Sequence, residues 1–235
     1  MADQICEDFI NLCIQENQRI FDAGLVLFTW GNVSIISPDK TKIAIKPSGV
    51  GFDQLSAKKI AIVDIASGAH LSGLKPSVDT PLHLEVYKHF KNTSSVVHTH
   101  SHYTTVFAQA KKDIPLLGTT HADYFDYDIP VCGQPEIDQV LSFEQALGLE
   151  VVSCATNKIG KDRPYYAVLL PAHGVLLWST SDKKTSEIAI VLEEIARLAF
   201  HTCLLDENAN GNQVDRDVFD FHFQRKHGEN KYYGQ

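Results

Sequence analysis

The sequence predicts a single α/β domain with helices on both faces of a central sheet. Two patterns favour this fold class. Short apolar runs of strand length alternate along the chain with longer segments whose apolar residues recur at helical spacing. The connections between these segments are short, as in layered α/β domains. The 235 residues show no internal repeat and no low-complexity linker, so we expect one domain over residues 1–235.

The first third of the chain predicts one helix and three strands. Residues 4–22 carry apolar side chains at helical spacing, and Gly24 provides a stop. Residues 29–37 and 42–50 read as two short strands, because turn-forming residues separate them. Residues 60–73 predict a strand that runs into a Gly/Ser turn.

The next stretch predicts a helix, a strand and a second helix. The first helix covers 79–90, with Asp79 or Thr80 as its cap. The run 94–100 then predicts a strand that begins with two buried valines, and 102–110 predicts a helix.

The second half of the chain predicts a polar loop, a helix and two strands. The loop covers 118–139, and the helix covers 143–157. Two apolar runs within 165–179 read as strands on either side of a break at 171–174.

Two further helices are predicted at the end of the chain. The first covers 181–205, with Ser181 or Asp182 as its cap. Its buried stripe is predicted to comprise Ile188, Val191, Ile195 and Leu198. The second covers 216–228, where Gly228 stops it before a short tail.

Charge and composition exclude several classes of partner. The net charge of −8 and the lack of a dense Lys/Arg run argue against nucleic acid. No apolar run approaches the ~18 residues of a membrane-spanning helix. The five cysteines form no CxxC pair, and the N-terminus lacks a basic signal region, so we expect free thiols in the cytoplasm.

Three histidines alternate along the strand predicted at 94–100 and just beyond it. Side chains two residues apart on a strand point to one face, about 6.6 Å apart along the backbone. His98 and His100 could therefore bind one metal ion through ring nitrogens; the alternative is a polar strand end with hydrogen-bonded histidines. His102 continues the alternation but lies where the strand ends, so the spacing does not determine the direction in which its side chain points.

Two further residues could complete such a metal site. His173 lies in the break between two apolar strands, and Asp79 lies at the start of a helix. Taken singly, the first is typical of a turn histidine and the second of a helix N-cap. A cupin also uses a His-x-His pair, but it places a Glu a few residues beyond, and residues 101–109 contain none.

Other polar residues also suggest a site. Gly31 and Asn32 interrupt a strand-like run, which often marks close approach of a ligand to the backbone. A cation, a hydroxyl and a flexible backbone are offered by Lys46, Ser48 and Gly49. This group is typical of a small phosphate-binding site, and the alternative is an ordinary turn. The predicted loop adds a polar group made of Thr119, Thr120, His121, Asp123 and Tyr124.

Eight segments together resemble one known family. They read FTWGNVS, IKPSGV, KPSVDTPLH, VVHTHS, GTTHADYF, PAHGVLLW, AIVLEEIA and RKHGENKYYGQ, in this order along the chain. The combination resembles the class II aldolase family, to which the adducin head domain also belongs. GTTHADYF and the terminal YYGQ are typical of its epimerase branch. The resemblance implies a three-layer α/β/α domain with a mixed, mostly antiparallel central sheet.

The resemblance also implies a metal site. It assigns one divalent ion per subunit, usually Zn²⁺, to Asp79, His98, His100 and His173, and it gives His102 no ligand role. Such a ligand set also accepts Mn, Co or Fe. The aldolase branch carries Glu in place of Asp79, so the aspartate favours the epimerase branch. The adducin head domain lacks these ligands, which argues against a non-enzymatic interaction module.

The implied activity is 4-epimerisation, which interconverts L-ribulose 5-phosphate and D-xylulose 5-phosphate in arabinose or ascorbate breakdown. The C4 proton is not acidic, because C4 is not next to the carbonyl carbon. Cleavage of the C3–C4 bond, rotation of the aldehyde and re-formation of the bond avoid its removal, with the metal as Lewis acid. The alternative is a class II sugar-phosphate aldolase of the L-fuculose-1-phosphate type.

The resemblance assigns the remaining roles as follows. Asp123 and Tyr233, the latter from an adjacent subunit of a C4 homotetramer, act as acid/base groups on the two faces of the aldehyde. The tail 228–235 thus completes a neighbouring site. Residues that bind substrate or its phosphate are Asn32, Lys46, Ser48, Gly49, Ser77 and Thr119. Related epimerases carry a residue with a hydroxyl group in place of Val78. The loss of one charge-assisted hydrogen bond from this hydroxyl could weaken phosphate binding by about 1.5–3 kcal/mol.

Overall fold

The computed structural model describes residues 2–136, 140–180, 185–206, 215–229 and 231–232, with side chains from residue 8 onward. The seven strands within these ranges form one sheet. They are β1 Asn32–Ile36, β2 Lys42–Ile45, β3 Ala61–Asp64, β4 His70–Ser72, β5 Ser95–Thr99, β6 Tyr165–Leu170 and β7 Gly174–Ser179. The strand order is β4-β3-β2-β1-β5-β7-β6, and every neighbouring pair is antiparallel.

The sheet confirms the mostly antiparallel fold class. The sole parallel contact among the described residues is an isolated bridge between Val131 and Leu169. β4 is the one strand that the sequence did not predict. It continues from β3 through a turn in which the Asp64 carboxylate accepts from Ser67 N at 2.8 Å. All three β4 residues are exposed, so no apolar run marks this strand in the sequence.

Helices cover both faces of the sheet. They are α1 Ala2–Asp22, α2 Thr80–His89, α3 His102–Ala110, α4 Thr119–Ala122, α5 Phe143–Cys154, α6 Thr185–Leu205 and α7 Arg216–His227. The predicted helices are all present within the described residues, and the caps predicted at Ser181 and Asp182 lie outside those residues. The segment predicted as a loop contains α4, a single turn too short to show a periodic pattern.

Alternation along the strands separates two apolar cores. Ile43 and Ile45 of β2 point to the side of α2 and α5, whereas Ala44 between them faces α1. In β5, Val96 joins the first core and Val97 the second. A sheet that is buried on both faces between helices is the middle of a three-layer α/β/α sandwich.

The buried stripe of α6 differs from the predicted one. Ile188 and Ile195 are buried, but Leu198 is 45% exposed. The buried positions instead continue through Leu192, Ala196 and Ala199. Small alanines and one leucine therefore face the sheet, because a 3.6-residue period returns to the core four residues after Ile195 rather than three.

Candidate functional site

Three histidines meet at the end of β5. The ligand nitrogens of His98, His100 and His173 all lie within 4.8 Å of one another. The Nε2 atoms of His98 and His100 are 3.0 Å apart, and two nitrogens on one tetrahedral zinc ion would stand about 3.4 Å apart. The cluster is thus spaced to hold one ion. It is the one such group of His, Cys, Asp or Glu in the described part of the chain.

Strand geometry and one glycine bring these histidines together. His98 is buried within β5, and His100 follows it two residues later on the same face, as the spacing predicted. His173 arrives on the tight turn between β6 and β7. Gly174 permits this approach: a Cβ there would lie 2.4 Å from the Thr99 carbonyl oxygen and 3.1 Å from the His100 ring.

The imidazoles of His100 and His173 are prepared to act as neutral ligands. Burial, together with the neighbouring His98 and His173, lowers the pKa of His100 to about 4. Burial and His98 likewise lower the pKa of His173 to about 4. His98 Nδ1 lies 3.0 Å from the Val175 carbonyl oxygen, which accepts its proton and leaves Nε2 for the cluster. Neutral imidazoles offer the lone pair that metal binding requires.

Asp79 lies at the N-cap position of α2 without acting as a cap. Its side chain makes no capping hydrogen bond. Instead Oδ2 accepts from Asn32 Nδ2 at 2.7 Å and from Ser77 Oγ at 3.2 Å. Burial raises the pKa of Asp79, but the neighbouring His98 and His83 together with the hydrogen bond from Asn32 lower it, and the net shift is downward. The carboxylate is therefore held as an anion in the same cavity as the histidines, although Asp79 is not among the residues whose ligand atoms all lie within 4.8 Å of one another.

One cavity joins the histidine cluster to the predicted phosphate residues. Its volume is about 250 Å³. His100, His173 and Asp79 line it. The predicted phosphate residues that line the same cavity are Asn32, Lys46, Ser48, Gly49 and Ser77. Sequence-distant segments thus converge, because the Pro47–Pro76 bridge joins the chain after β2 to the chain before α2.

Lys46 supplies the positive charge of this cavity. Its side chain is buried, with Nζ donating to the Thr29 carbonyl oxygen at 2.9 Å and lying 4.7 Å from the centre of the Phe52 ring. Burial lowers its pKa to about 8, although Asp79 acts in the opposite direction. At neutral pH the ammonium remains mostly protonated and can pair with an anion.

Asp123 lies away from this cavity. The Arg225 guanidinium donates to both of its carboxylate oxygens, at 3.0 and 2.9 Å. His222 Nδ1 lies 3.1 Å from Oδ1, and His227 Nε2 lies 2.9 Å from the Asp123 carbonyl oxygen. Sequence reasoning missed these three partners. The only signal for them is that the last turns of α7 carry Arg225 and two histidines.

The length of β6 separates Asp123 from the histidine cluster. The His227 ring that touches Asp123 also contacts the Tyr165 ring, with centres 5.7 Å apart. Tyr165 begins β6, whereas His173 lies beyond its other end. Five residues of antiparallel strand span about 17 Å. Within one chain, Asp123 and the histidine cluster therefore lie near opposite ends of β6.

The other predicted site residues are placed as follows. Thr119 begins α4 and does not line the cavity. Val78 does line it, and its side chain is 59% exposed. His102 begins α3 as an exposed residue outside the histidine cluster. Tyr233 lies outside the described residues. No helix among the described residues is long and apolar enough to cross a membrane.

Comparisons with known proteins show the family of the chain. Residues 11–200 match the family described as Class II Aldolase and Adducin N-terminal domain. A protein of Mycoplasma pneumoniae described as a "probable L-ribulose-5-phosphate 4-epimerase" is 37% identical over 239 residues, covering 100% of this chain and 98% of the relative.

Solved structures share the fold. An L-fuculose 1-phosphate aldolase superposes with a TM-score of 0.75 and 21% identity, over 93% of this chain and 95% of that one. An L-fuculose-1-phosphate aldolase of Thermus thermophilus gives 0.67 and 22%, over 85% and 96%. With the family match over most of its length, the chain belongs to the class II aldolase and adducin N-terminal domain family.

Proposed function

We propose that the chain is an L-ribulose-5-phosphate 4-epimerase that depends on a divalent metal ion. The observation that carries this proposal is a single cavity of about 250 Å³. It is lined both by His100 and His173 and by Lys46 and its neighbours. A retro-aldol reaction on a pentulose phosphate needs a metal at the sugar oxygens and a cation at the phosphate, a few bonds apart. The full-length relative described as a probable epimerase supports this choice of substrate.

The donor set fits a divalent ion, and we propose Zn²⁺ held by Asp79, His98, His100 and His173. Three neutral imidazoles and one carboxylate leave a single net positive charge on such a site. When bound, the ion supplies positive charge that stabilises the oxygen anions created by cleavage of the C3–C4 bond. Asn32, which donates to Asp79, holds that carboxylate in place.

The chain's own residues position the substrate and move its protons. Lys46, Ser48 and Ser77 hold the phosphate at C5, so that end stays anchored while the aldehyde at C4 turns. Asp123 takes the C4 hydroxyl proton from one face, and Tyr233 returns it on the other. Thr119, at the start of α4 close in sequence to Asp123, contacts the same substrate.

We propose that both acid/base residues act on a neighbouring subunit's substrate. Asp123 is separated from the histidine cluster of its own chain by the length of β6, about 17 Å. A second copy must therefore bring its Asp123 to this cavity. We accordingly propose one class II aldolase domain over residues 1–235, assembled as a cytoplasmic C4 homotetramer with its tail at the subunit boundary.

The second candidate is a class II aldolase acting on L-fuculose 1-phosphate or a similar sugar phosphate. The structural likeness to such aldolases favours it. The two activities share the bond-breaking step and differ in the fate of the aldehyde, which an epimerase keeps and an aldolase releases.

The test incubates Zn²⁺-loaded protein with L-ribulose 5-phosphate and measures both D-xylulose 5-phosphate and free aldehyde. We expect the epimer as the main product and its loss in His100→Ala, together with loss of bound zinc. The control His102→Ala should keep zinc and activity. Net aldehyde release would instead support the aldolase, and full activity after verified metal removal would contradict both.

A further inference from the structure

Two exposed aromatic side chains pack against each other beside the cavity, and one of them lines it. We call Phe28 and Trp30 the aromatic pair. Phe28 is 78% exposed and Trp30 is 52% exposed. Their ring centres are 6.0 Å apart in an edge-to-face arrangement. Trp30 lines the cavity, and its ring centre lies 6.1 Å from that of His100.

The backbone is built to hold the aromatic pair in this position. Phe28 has a φ of 54°, in the left-handed region that a side chain with a Cβ rarely adopts. Gly31 has a φ of 72°, and a Cβ there would lie 2.6 Å from Val26 Cγ1 and 2.9 Å from the His98 carbonyl oxygen. Trp30 N donates to the Leu27 carbonyl oxygen at 3.0 Å, which closes the turn.

The loop is also fixed to both halves of the site. Lys46 Nζ donates to the Thr29 carbonyl oxygen, which lies between the two aromatic residues. Asn32, which follows Gly31, donates to Asp79. The loop that carries the aromatic pair is thus tied both to Lys46, in the proposed phosphate site, and to Asp79, in the proposed metal site.

This arrangement is unfavourable for the chain alone. Exposed aromatic surface forgoes the free energy of burial, and a phenylalanine in the left-handed region is strained. Strained backbone beside a polar site is commonly retained because the site uses it. The ring faces carry no hydrogen-bonding group, so they can block a path without fixing the orientation of a carbonyl oxygen beside them.

We propose that the aromatic pair retains the aldehyde fragment between bond cleavage and bond re-formation, an inference that rests on the proposed function. In cleavage, the C4 hydroxyl loses its proton, C4 becomes an aldehyde carbon, and the electron pair of the C3–C4 bond stays with the three-carbon fragment. Glycolaldehyde phosphate then turns about its C4–C5 bond. The same electron pair attacks the other face, and the aldehyde oxygen regains a proton. Epimerisation therefore succeeds only when turning outruns escape.

The aromatic pair also defines how this chain would differ from an aldolase. An aldolase must let the aldehyde leave, whereas an epimerase must keep it. Trp30 lines the cavity beside His100, and the Phe28 ring packs against the Trp30 ring. Removal of this barrier should convert part of the epimerase turnover into net cleavage.

The experiment measures the ratio of glycolaldehyde phosphate released to D-xylulose 5-phosphate formed, from L-ribulose 5-phosphate and Zn²⁺-loaded protein. The variants are Trp30→Ala, Phe28→Ala and the conservative Trp30→Phe. Leu71→Ala removes a side chain that is 50% exposed on β4, away from the cavity, and serves as a control. Zinc content and oligomer size are measured for each protein.

We expect the ratio to rise about tenfold or more in both alanine variants, which corresponds to a loss of about 1.4 kcal/mol from the barrier to escape of the aldehyde. Trp30→Phe and Leu71→Ala should stay near the wild-type ratio, and zinc content should not change. If Trp30→Ala loses zinc, Phe28→Ala decides the matter, because Phe28 touches no proposed ligand.

Two results would overturn the inference. An unchanged ratio in Phe28→Ala and Trp30→Ala would show that other groups retain the aldehyde. A changed oligomer size with an unchanged ratio would show that the aromatic pair is a subunit contact. Failure of the wild-type protein to epimerise the substrate would instead overturn the proposed function. This result comes from the wild-type assay alone, so it can be distinguished from the outcomes of the variants.

Discussion

Lys46 shows how a single residue can be prepared for anion binding. Its ammonium is enclosed by the Thr29 carbonyl oxygen and the Phe52 ring rather than by a carboxylate. A buried cation with weak partners gains most when an anion arrives, because no strong ion pair must first be broken. The positive charge is therefore available to a phosphate in an acidic protein with a net charge of −8.

Removal of this charge should weaken substrate binding. In Lys46→Met, which keeps most of the apolar stem, we expect KM for L-ribulose 5-phosphate to rise about 10- to 100-fold, the range for one charge-assisted hydrogen bond. Steady-state kinetics measure it. Lys42→Met, at the start of the strand that Lys46 directly follows, is the matched control and should leave KM unchanged. An equal KM in the two variants would contradict the role.

The lowered pKa of Lys46 also predicts a pH dependence. The folded protein loses the Lys46 proton as the pH rises through about 8, so the phosphate site is charged below this pH and neutral above it. KM should therefore rise between pH 7 and pH 9. Lys46→Arg, whose guanidinium stays protonated over this range, should flatten the rise. A rise of the same size in Lys46→Arg would assign the titration to another group.

At the scale of elements, α3 is capped by a residue that is distant in sequence. Ser101 occupies the N-cap position but makes no capping hydrogen bond. Instead Glu193 of α6 accepts from Tyr103 N at 2.7 Å and from Thr104 N at 3.1 Å. A carboxylate at a helix N-terminus also interacts favourably with the helix dipole. Because α3 begins two residues after His100, this contact joins α6 to the histidine cluster.

Glu193→Gln should therefore destabilise the fold. We expect the free energy of unfolding to fall by about 1 kcal/mol, typical of a lost N-cap. Glu194→Gln is the matched control. Glu194 is the next residue, and its exposed carboxylate pairs with Arg197 on the same helix. Urea denaturation of both variants measures the difference. Equal stability of the two would show that the remote cap contributes little.

Most elements could be predicted from the sequence, because apolar periodicity marks them. β4 could not, since three exposed residues on an edge strand leave no such pattern. The site was predictable only in part. Spacing linked His98 to His100, but the arrival of His173 depends on close contact between Gly174 and the Thr99 backbone. Such contacts arise between segments more than 70 residues apart and leave no local signal.

At the scale of the whole molecule, Asp123 and the histidine cluster lie near opposite ends of β6 within each chain. A contact that joins different surfaces of identical copies is heterologous, and it closes when the rotation between copies completes a ring. Each subunit would then contribute a metal half to one site and an acid/base half to the next.

Mixed assemblies test this arrangement. Asp123→Asn and His100→Ala should each be inactive, but co-assembled subunits should regain activity, because about one quarter of adjacent pairs in a random mixture unite two intact halves. The control mixes His98→Ala with His100→Ala, which share a defective half, and should stay inactive. No recovery in the first mixture, despite verified co-assembly, would place both halves in one chain.

The alternation of side chains in β5 has a consequence for folding. His98 shares its parity with Val96 and lies opposite Asn32 of β1 and Leu176 of β7. A slip of one residue in this pairing would turn both imidazoles toward α1 and α6, far from Asp79. Of the three histidines, only His173 would then remain in place to bind the ion. At the proposed metal site, affinity for zinc is therefore a measure of correct strand register, and it can be read before any substrate is added.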